Sequence, residues 1–189
     1  MDEMERKRAL LIEAAPSLAP GLYSFFRRLG VDAPTAEDLA QDTFLLAWQK
    51  AARLHGAREL RGWLYGIAYR RYLQHREQAR TETTVALTED RVPSVPGPGS
   101  DAELRAALVR DALATLPDKY ASPLVLVYWQ ELSYLEAARA LSLPIGTLAW
   151  RVHQGLKLLK RALAEKGWDD ELAFPASSPD RGATSVCED

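Results

Sequence analysis

The side chains able to do chemistry in this 189-residue chain are cations and aromatics rather than nucleophiles. The sequence shows no glycine-rich phosphate loop, no nucleophile–base pair and no cluster of metal ligands. His55, His75 and His153 share no metal-type spacing. Cys187 is the single cysteine, so neither a thiolate zinc site nor an intrachain disulfide is available. We therefore expect no metal, no cofactor and no enzymatic activity. The net charge is −2, but its distribution matters more than its sum. Residues 61–80 hold five arginines against one glutamate, and residues 146–167 hold five cations against one glutamate, so each stretch carries +4. In the first stretch Trp63, Tyr65, Tyr69 and Tyr72 interleave with Arg61, Arg70, Arg71 and Arg76. Arginines neutralise phosphates and aromatic faces stack on unpaired bases, a chemistry suited to a nucleic-acid strand. Trp63 and at least one tyrosine are equally suited to a core, which leaves one or two of the four aromatics for bases.

The second basic stretch belongs to a pair of short helices joined by a tight turn, spanning Leu132–Arg161. Ser133 followed by Glu136 reads as a capping box. Leu135, Ala138 and Leu141 line one face of the first helix, and Ser142-Leu143-Pro144 stops it, because proline disfavours helical geometry in the residue before it. Gly146-Thr147 opens the next helix, in which Leu148, Val152, Leu156, Leu159 and Leu163 recur at helical spacing. This is the helix-turn-helix outline, whose second helix enters the DNA major groove. A plain helical hairpin gives the same pattern. Thr147, Trp150, Arg151, His153, Gln154 and Lys157 fall on the outward side.

The remaining elements position these two helices. Residues 5–29 predict one helix or a bent pair interrupted by Pro16 and Pro20, ended by Gly30 as a left-handed cap. Asp32 or Thr35 starts a helix with Pro34 in its first turn. Its inward face is Ala36, Leu39, Ala40, Phe44, Ala47 and Trp48, and its other face carries Asp38, Gln41, Asp42, Leu45 and Gln49. Residues 54–60 read as a loop broken by Gly56, and Gly62 to about Thr81 as a long helix with Trp63, Leu64, Ile67 and Ala68 inward. Pro93, Pro96, Gly97, Pro98 and Gly99 make residues 86–100 a linker. A second helical block covers 101–116, 119–130, 133–141 and 147–164. The tail 168–189 carries six acids against Arg181 and reads as disordered. There is no internal repeat and no strand-period run. The expected fold is all-α: two small helical domains, 1–85 and 101–167, joined by a flexible linker. No apolar run approaches the roughly 20 residues of a membrane span, and the N-terminus is too charged for a secretory signal, so the expected location is cytoplasmic.

Two stretches carry a resemblance. Glu37-Asp38-x-x-Gln41-Asp42-x-Phe44-x-x-x-Trp48 followed by Trp63-Leu64-x-x-Ile67-Ala68 resembles region 2 of the bacterial sigma-70 family of RNA polymerase sigma factors. Leu116-Pro117 followed by Ser133-Tyr134-x-Glu136-Ala137-Ala138-x-x-Leu141 and Pro144-x-Gly146-Thr147 resembles region 4. A chain holding only these two regions resembles the extracytoplasmic-function group. The resemblance covers roughly residues 30–167 and implies an alternative sigma factor that lends promoter recognition and strand opening to core RNA polymerase. It implies that Asp38, Gln41, Asp42 and Leu45 meet the polymerase's largest subunit. An acidic and amide face with one exposed leucine suits a basic helical partner. It further implies that His55 and Arg58 in the loop, then Arg61, Trp63, Tyr65, Tyr69, Arg70, Arg71 and Arg76, handle the −10 element, where a base is flipped at a cost of a few kcal/mol. Ser133, Thr147, Trp150, Arg151, His153, Gln154 and Lys157 would face the −35 element, cations on phosphates and Gln154 or Arg151 at base edges. The implied partners are core polymerase, promoter DNA and an anti-sigma factor wedged between the domains, with no membrane span.

The chain departs from the family pattern at Arg70 and Gln74, where Asn and Asp are common. It departs again at Leu148-Ala149-Trp150-Arg151, where Val-Lys-Ser-Arg is common. Fewer cations there mean fewer phosphate contacts and a shallower salt dependence. A sigma-like decoy, binding an anti-sigma factor or polymerase without reading promoters, is the alternative these departures leave open. A helix-turn-helix repressor would leave residues 37–48 unexplained and would need a dimer matched to a palindromic site. The acidic tail is either simply solvated or folds over a basic helix to hinder DNA binding.

Overall fold

The structure is a computed structural model that describes residues 2–85 and 101–168, with side chains described in 2–81 and 104–168. The linker 86–100 and the tail beyond Trp168 lie outside the described residues. Among the described residues the chain is helical and contains no strand: α1 Glu3–Arg28, α2 Ala33–Gln49, a 3₁₀ turn Ala51–Arg53, α3 Ala57–Val85, α4 Asp101–Thr115, α5 Asp118–Leu124, a π-helical turn Val125–Trp129, α6 Tyr134–Leu141 and α7 Ile145–Ala164.

Helix boundaries follow local chemistry. Gly30, at φ 84°, takes the left-handed turn that ends the first helix. Asp32 then caps α2 by accepting from the Thr35 N–H at 3.0 Å. That bond holds the Asp32 carboxyl below its ordinary range. Asp32→Ala is expected to destabilise the protein by about 1 kcal/mol in urea titrations at neutral pH. A depressed carboxyl stabilises fully above its unfolded pKa of about 3.9, and the difference between the two chains shrinks as pH falls below that. Ser133 forms the expected capping box on α6, its N–H donating to Glu136 Oε2 at 2.9 Å and its Oγ accepting from the Glu136 N–H at 3.3 Å.

Several expectations are corrected. The first helix is not interrupted: Pro16 and Pro20 both lie inside α1. Each removes one N–H to the carbonyl four residues back, but Ile12, Pro16 and Pro20 all sit on the exposed side, where freed carbonyls can tilt toward solvent. Contrary to the expectation of no membrane-length apolar run, α1 qualifies by length and composition alone as a membrane-span candidate. Its Leu11, Leu22, Phe25 and Phe26 are buried in the protein core. The segment expected as a loop over 54–60 shrinks to Leu54–Gly56, since Ala57–Leu60 already form the first turn of α3. Trp48 and Leu135, expected inward, are partly and half exposed, at 38% and 50%. The buried side of α6 is instead Ala137, Ala138, Ala140 and Leu141. That helix stops at Ser142 in the left-handed conformation, two residues before Pro144, and α7 begins at Ile145.

The π turn was also unforeseen, because Val125–Trp129 reads as a continuation of the preceding helix. Its closing bond runs from the Gln130 N–H to the Val125 carbonyl at 3.0 Å, five residues back. The widened turn and Glu131 at φ 49° redirect the chain into α6.

Packing centres on α3. One side meets α1 and α2 through Leu64, Ile67 and Ala68, with the Phe25 and Tyr65 rings edge-on at 5.7 Å. Another side lies against α6. Gly62 and Gly66 permit that approach: a Cβ at Gly66 would stand 3.2 Å from the Ala140 carbonyl oxygen, and one at Gly62 would stand 3.4 Å from the Glu136 Cβ. Among the described residues, the buried side chains of α1–α3 and of α4–α7 join in one continuous cluster.

Candidate nucleic-acid interface

The α2 patch is placed by helical spacing. Asp38, Gln41, Asp42 and Leu45 share one face, with Asp38, Gln41 and Leu45 exposed, Leu45 at 62%. Asp42 is half-buried and forms an ion pair with Arg71 of α3. The sequence reading put these two residues in different binding sets; in the structure they hold each other. Beside the patch runs an open groove of about 680 Å³ between α1 and α2, lined by Ile12, Pro16, Phe44, Leu45 and Trp48. Sequence reasoning missed the contribution of α1, because Ile12 and Leu45 face each other only once the two helices have packed.

The residues expected at the −10 element are spread along α3 as far as Arg76 and the turn before it. His55 and Arg58 are exposed beside Gly56, whose φ of 143° suits glycine. Arg70 is exposed, and Arg61, Trp63, Tyr69, Arg71 and Arg76 are half-buried. Arg58, Trp63 and Arg70 line a cleft of about 160 Å³ together with Glu136 and Arg139 of α6. Of the four aromatics, Tyr65 and Tyr72 are fully buried, at 1% and 0% exposed. The Tyr65 hydroxyl donates to the Gln130 side chain, and the Arg61 guanidinium donates to the Gln130 carbonyl. Burial pushes the Tyr65 phenol up to about 12, against the pull of Arg61, so it remains a donor. The Tyr72 hydroxyl donates to Asp118 Oδ1 at 2.6 Å, and Arg76 stands 3.3 Å from the same oxygen. Burial, then that contact, push the Tyr72 phenol up. Gln130 and Asp118 were not singled out in the sequence, and no periodicity marks them.

On α7 the buried stripe is Leu148, Val152, Gly155, Leu159 and Leu163. Gly155 packs directly on α5, where an added Cβ would meet Leu124 at 3.0 Å and the Tyr120 carbonyl at 3.2 Å. Trp150 is 54% exposed, with His153 and Lys157 beside it and Thr147, Arg151 and Gln154 half-buried. The Trp150 ring leans on Tyr120 at 6.1 Å. Ser133 is exposed at the head of α6, its side chain engaged in the cap. One helix thus presents cations with an amide on its free side, while α3 offers cations interleaved with aromatics.

Two family models match this chain in that order: sigma-70 region 2 over residues 17–82 and sigma-70 region 4 over residues 106–159. The ECF RNA polymerase sigma factor SigL of Mycobacterium tuberculosis is 32% identical over 151 residues, covering 77% of this chain and 84% of that protein. SigW of Bacillus subtilis is 29% identical over 156 residues, covering 76% and 83%. Among solved structures, the sigma factor RpoE of Bartonella quintana, in complex with the anti-sigma factor NepR, superposes with a TM-score of 0.67 at 26% identity, covering 80% of this chain and 95% of that one. CnrH, in complex with the cytosolic domain of CnrY, shares the fold, with a TM-score of 0.63 at 22% identity and coverage of 84% and 97%.

The chain belongs to the sigma-70 family of RNA polymerase sigma factors, in its extracytoplasmic-function group. It is a transcription initiation factor that works with core RNA polymerase and promoter DNA, and not an enzyme.

Proposed function

We propose that the three surfaces divide the work of this sigma factor. Residues 1–85 form the unit that docks on core polymerase through Asp38, Gln41, Asp42 and Leu45 and that handles the −10 element with α3. Residues 101–167 form the unit that reaches the −35 element with α7. The single observation that carries the docking assignment is Leu45, an apolar side chain 62% exposed between Gln41 and the α1–α2 groove. An exposed leucine on a polar face is a natural anchor for a partner helix. In the second unit, Arg151 and Lys157 neutralise phosphates while Gln154 reads a base edge. Work on the polymerase places the protein in the cytoplasm.

The contact classes separate experimentally. Lys157→Ala is expected to weaken duplex −35 binding on all sequences alike and to lower the salt slope by about one unit. Gln154→Ala is expected to relax sequence preference with the slope unchanged. An unaltered slope in Lys157→Ala would remove that lysine from the DNA face. Control by an anti-sigma factor, as in the RpoE–NepR complex, is the further part of this reading. Co-purification of the full chain from its own cells is expected to recover a partner that blocks core binding.

A further inference from the structure

We infer that Trp150 gives α7 a thymine preference, its indole covering the 5-methyl group of a thymine in the major groove. The inference rests on the reading of α7 as the helix that reaches duplex DNA. Trp150 lies two residues from Leu148 and two from Val152, both buried. At about 100° per residue that sets it opposite the buried stripe, in the middle of the face that carries Thr147, Gln154 and Lys157. Its side chain is 54% exposed, and the ground beside it is open. Gly146, one turn earlier on the same face, has no atom within 4 Å of where a Cβ would stand, and its φ is not positive. Neither packing nor backbone geometry calls for a glycine there, and glycine weakens a helix. The missing side chain leaves room for a base pair to approach the helix beside the indole.

Chemistry selects the base. No acidic residue falls between Ile145 and Ala164, so the face suits a polyanion. An indole offers an apolar ring and one N–H donor, with no acceptor. In the major groove thymine presents a methyl group beside the O4 acceptor. Cytosine presents an N4 amino donor, adenine an acceptor with an amino donor, and guanine two acceptors without an apolar group. Thymine alone matches both halves of the indole. The ring is also braced. It leans on Tyr120 at 6.1 Å, and Lys119 Nζ stands 5.0 Å from the centre of the Tyr120 ring. Tyr120 is held in turn at the α5–α7 crossing, where its carbonyl lies against Gly155. A braced aromatic has little side-chain freedom left to lose on binding. Tyr120 is thus a positioning residue that acts on DNA through Trp150.

The test compares thymine with uracil, which differ by that methyl group alone. The full chain first selects duplexes from a pool of short random DNA. The selected duplex is then resynthesised with deoxyuridine replacing each thymine in turn, on either strand. The native chain is expected to bind one of these duplexes about fourfold more weakly, the worth of one buried methyl group. Trp150→Ala is expected to bind the thymine duplex roughly tenfold more weakly than the native chain and to show no difference between thymine and uracil at that position. Its thermal unfolding should match the native chain, because the side chain it removes is exposed. Selection of duplexes with no preferred thymine, or equal binding of thymine and uracil by the native chain, overturns the inference. So does a thymine–uracil difference that persists in Trp150→Ala, which would give the methyl contact to Thr147. Absence of binding to any duplex, with core polymerase present as well, would instead overturn the assignment of α7 to the −35 element, and the thymine contact with it.

Discussion

A chain carrying Leu45→Arg is expected to keep its fold and lose its polymerase. Leu45 is 62% exposed and contributes little to the core, so the change should leave stability within about 0.5 kcal/mol of the native value. At an interface the same leucine would be desolvated against the partner. Placing a guanidinium there buries a charge and, on the reading of a basic partner helix, sets cation against cation. Anchors of this kind carry about 2 kcal/mol or more, roughly thirtyfold in Kd. Fluorescence anisotropy of labelled protein titrated with core polymerase measures the loss, and thermal unfolding confirms that the fold is intact. Unchanged affinity would move the docking surface off α2. Asp42→Arg is the less informative change, because Asp42 is already paired with Arg71 and its replacement opposes two cations within the fold.

Gly155→Val is expected to act in the opposite way, through packing with no partner involved. The helices α5 and α7 cross at this glycine, and its missing side chain is the space that Leu124 and the Tyr120 carbonyl fill. A branched side chain at 3.0–3.2 Å from those atoms must push the helices apart or distort Leu124. Overpacking of this kind costs about 1–3 kcal/mol. The urea midpoint should fall with the slope unchanged, and −35 duplex binding should weaken because α7 is displaced. Because the buried residues are continuous through α3 and α6, the loss should appear in the unfolding of the whole described body. A midpoint equal to the native one would show that the α5–α7 crossing has slack that the contacts at Gly155 do not suggest.

Much of this architecture was legible in the residues. Gly30 and the Ser133–Glu136 pair announce helix ends through chemistry confined to a few neighbouring residues, and of the two starts offered for α2, Asp32 and Thr35, the structure takes Asp32. The spacing of Leu148, Val152, Leu156, Leu159 and Leu163 announces the buried stripe of α7 in the same local way, except that Leu156 is half-buried and Gly155 takes its place in the stripe. What was not legible depends on partners distant in sequence. Tyr65 and Tyr72 looked available because a helix with two buried sides has the same composition as one with a single buried side; Tyr65 meets Phe25 and Gln130 and Tyr72 meets Asp118, each 40 or more positions away. Leu135 looked inward because leucine is apolar, but α6 sets Glu136 on Gly62 and Ala140 on Gly66, and Leu135 is left half exposed. The prolines of α1 looked like breaks because their cost is local, whereas its offset comes from solvent on the exposed side and core packing on the other. Asp42 and Arg71 could be assigned singly by family likeness but not paired, since 29 residues and a turn separate them.

Run-off transcription with purified core polymerase, this protein and a pooled library of promoter-length duplexes, with Leu45→Arg alongside, decides whether the chain docks through α2 and reads promoters. Transcripts are expected to need the protein, to disappear with Leu45→Arg, and to come from templates enriched in one pair of elements at −10 and −35. Core binding with no transcripts from any template would contradict this expectation, and would leave a protein that holds polymerase or an anti-sigma factor without reading promoters.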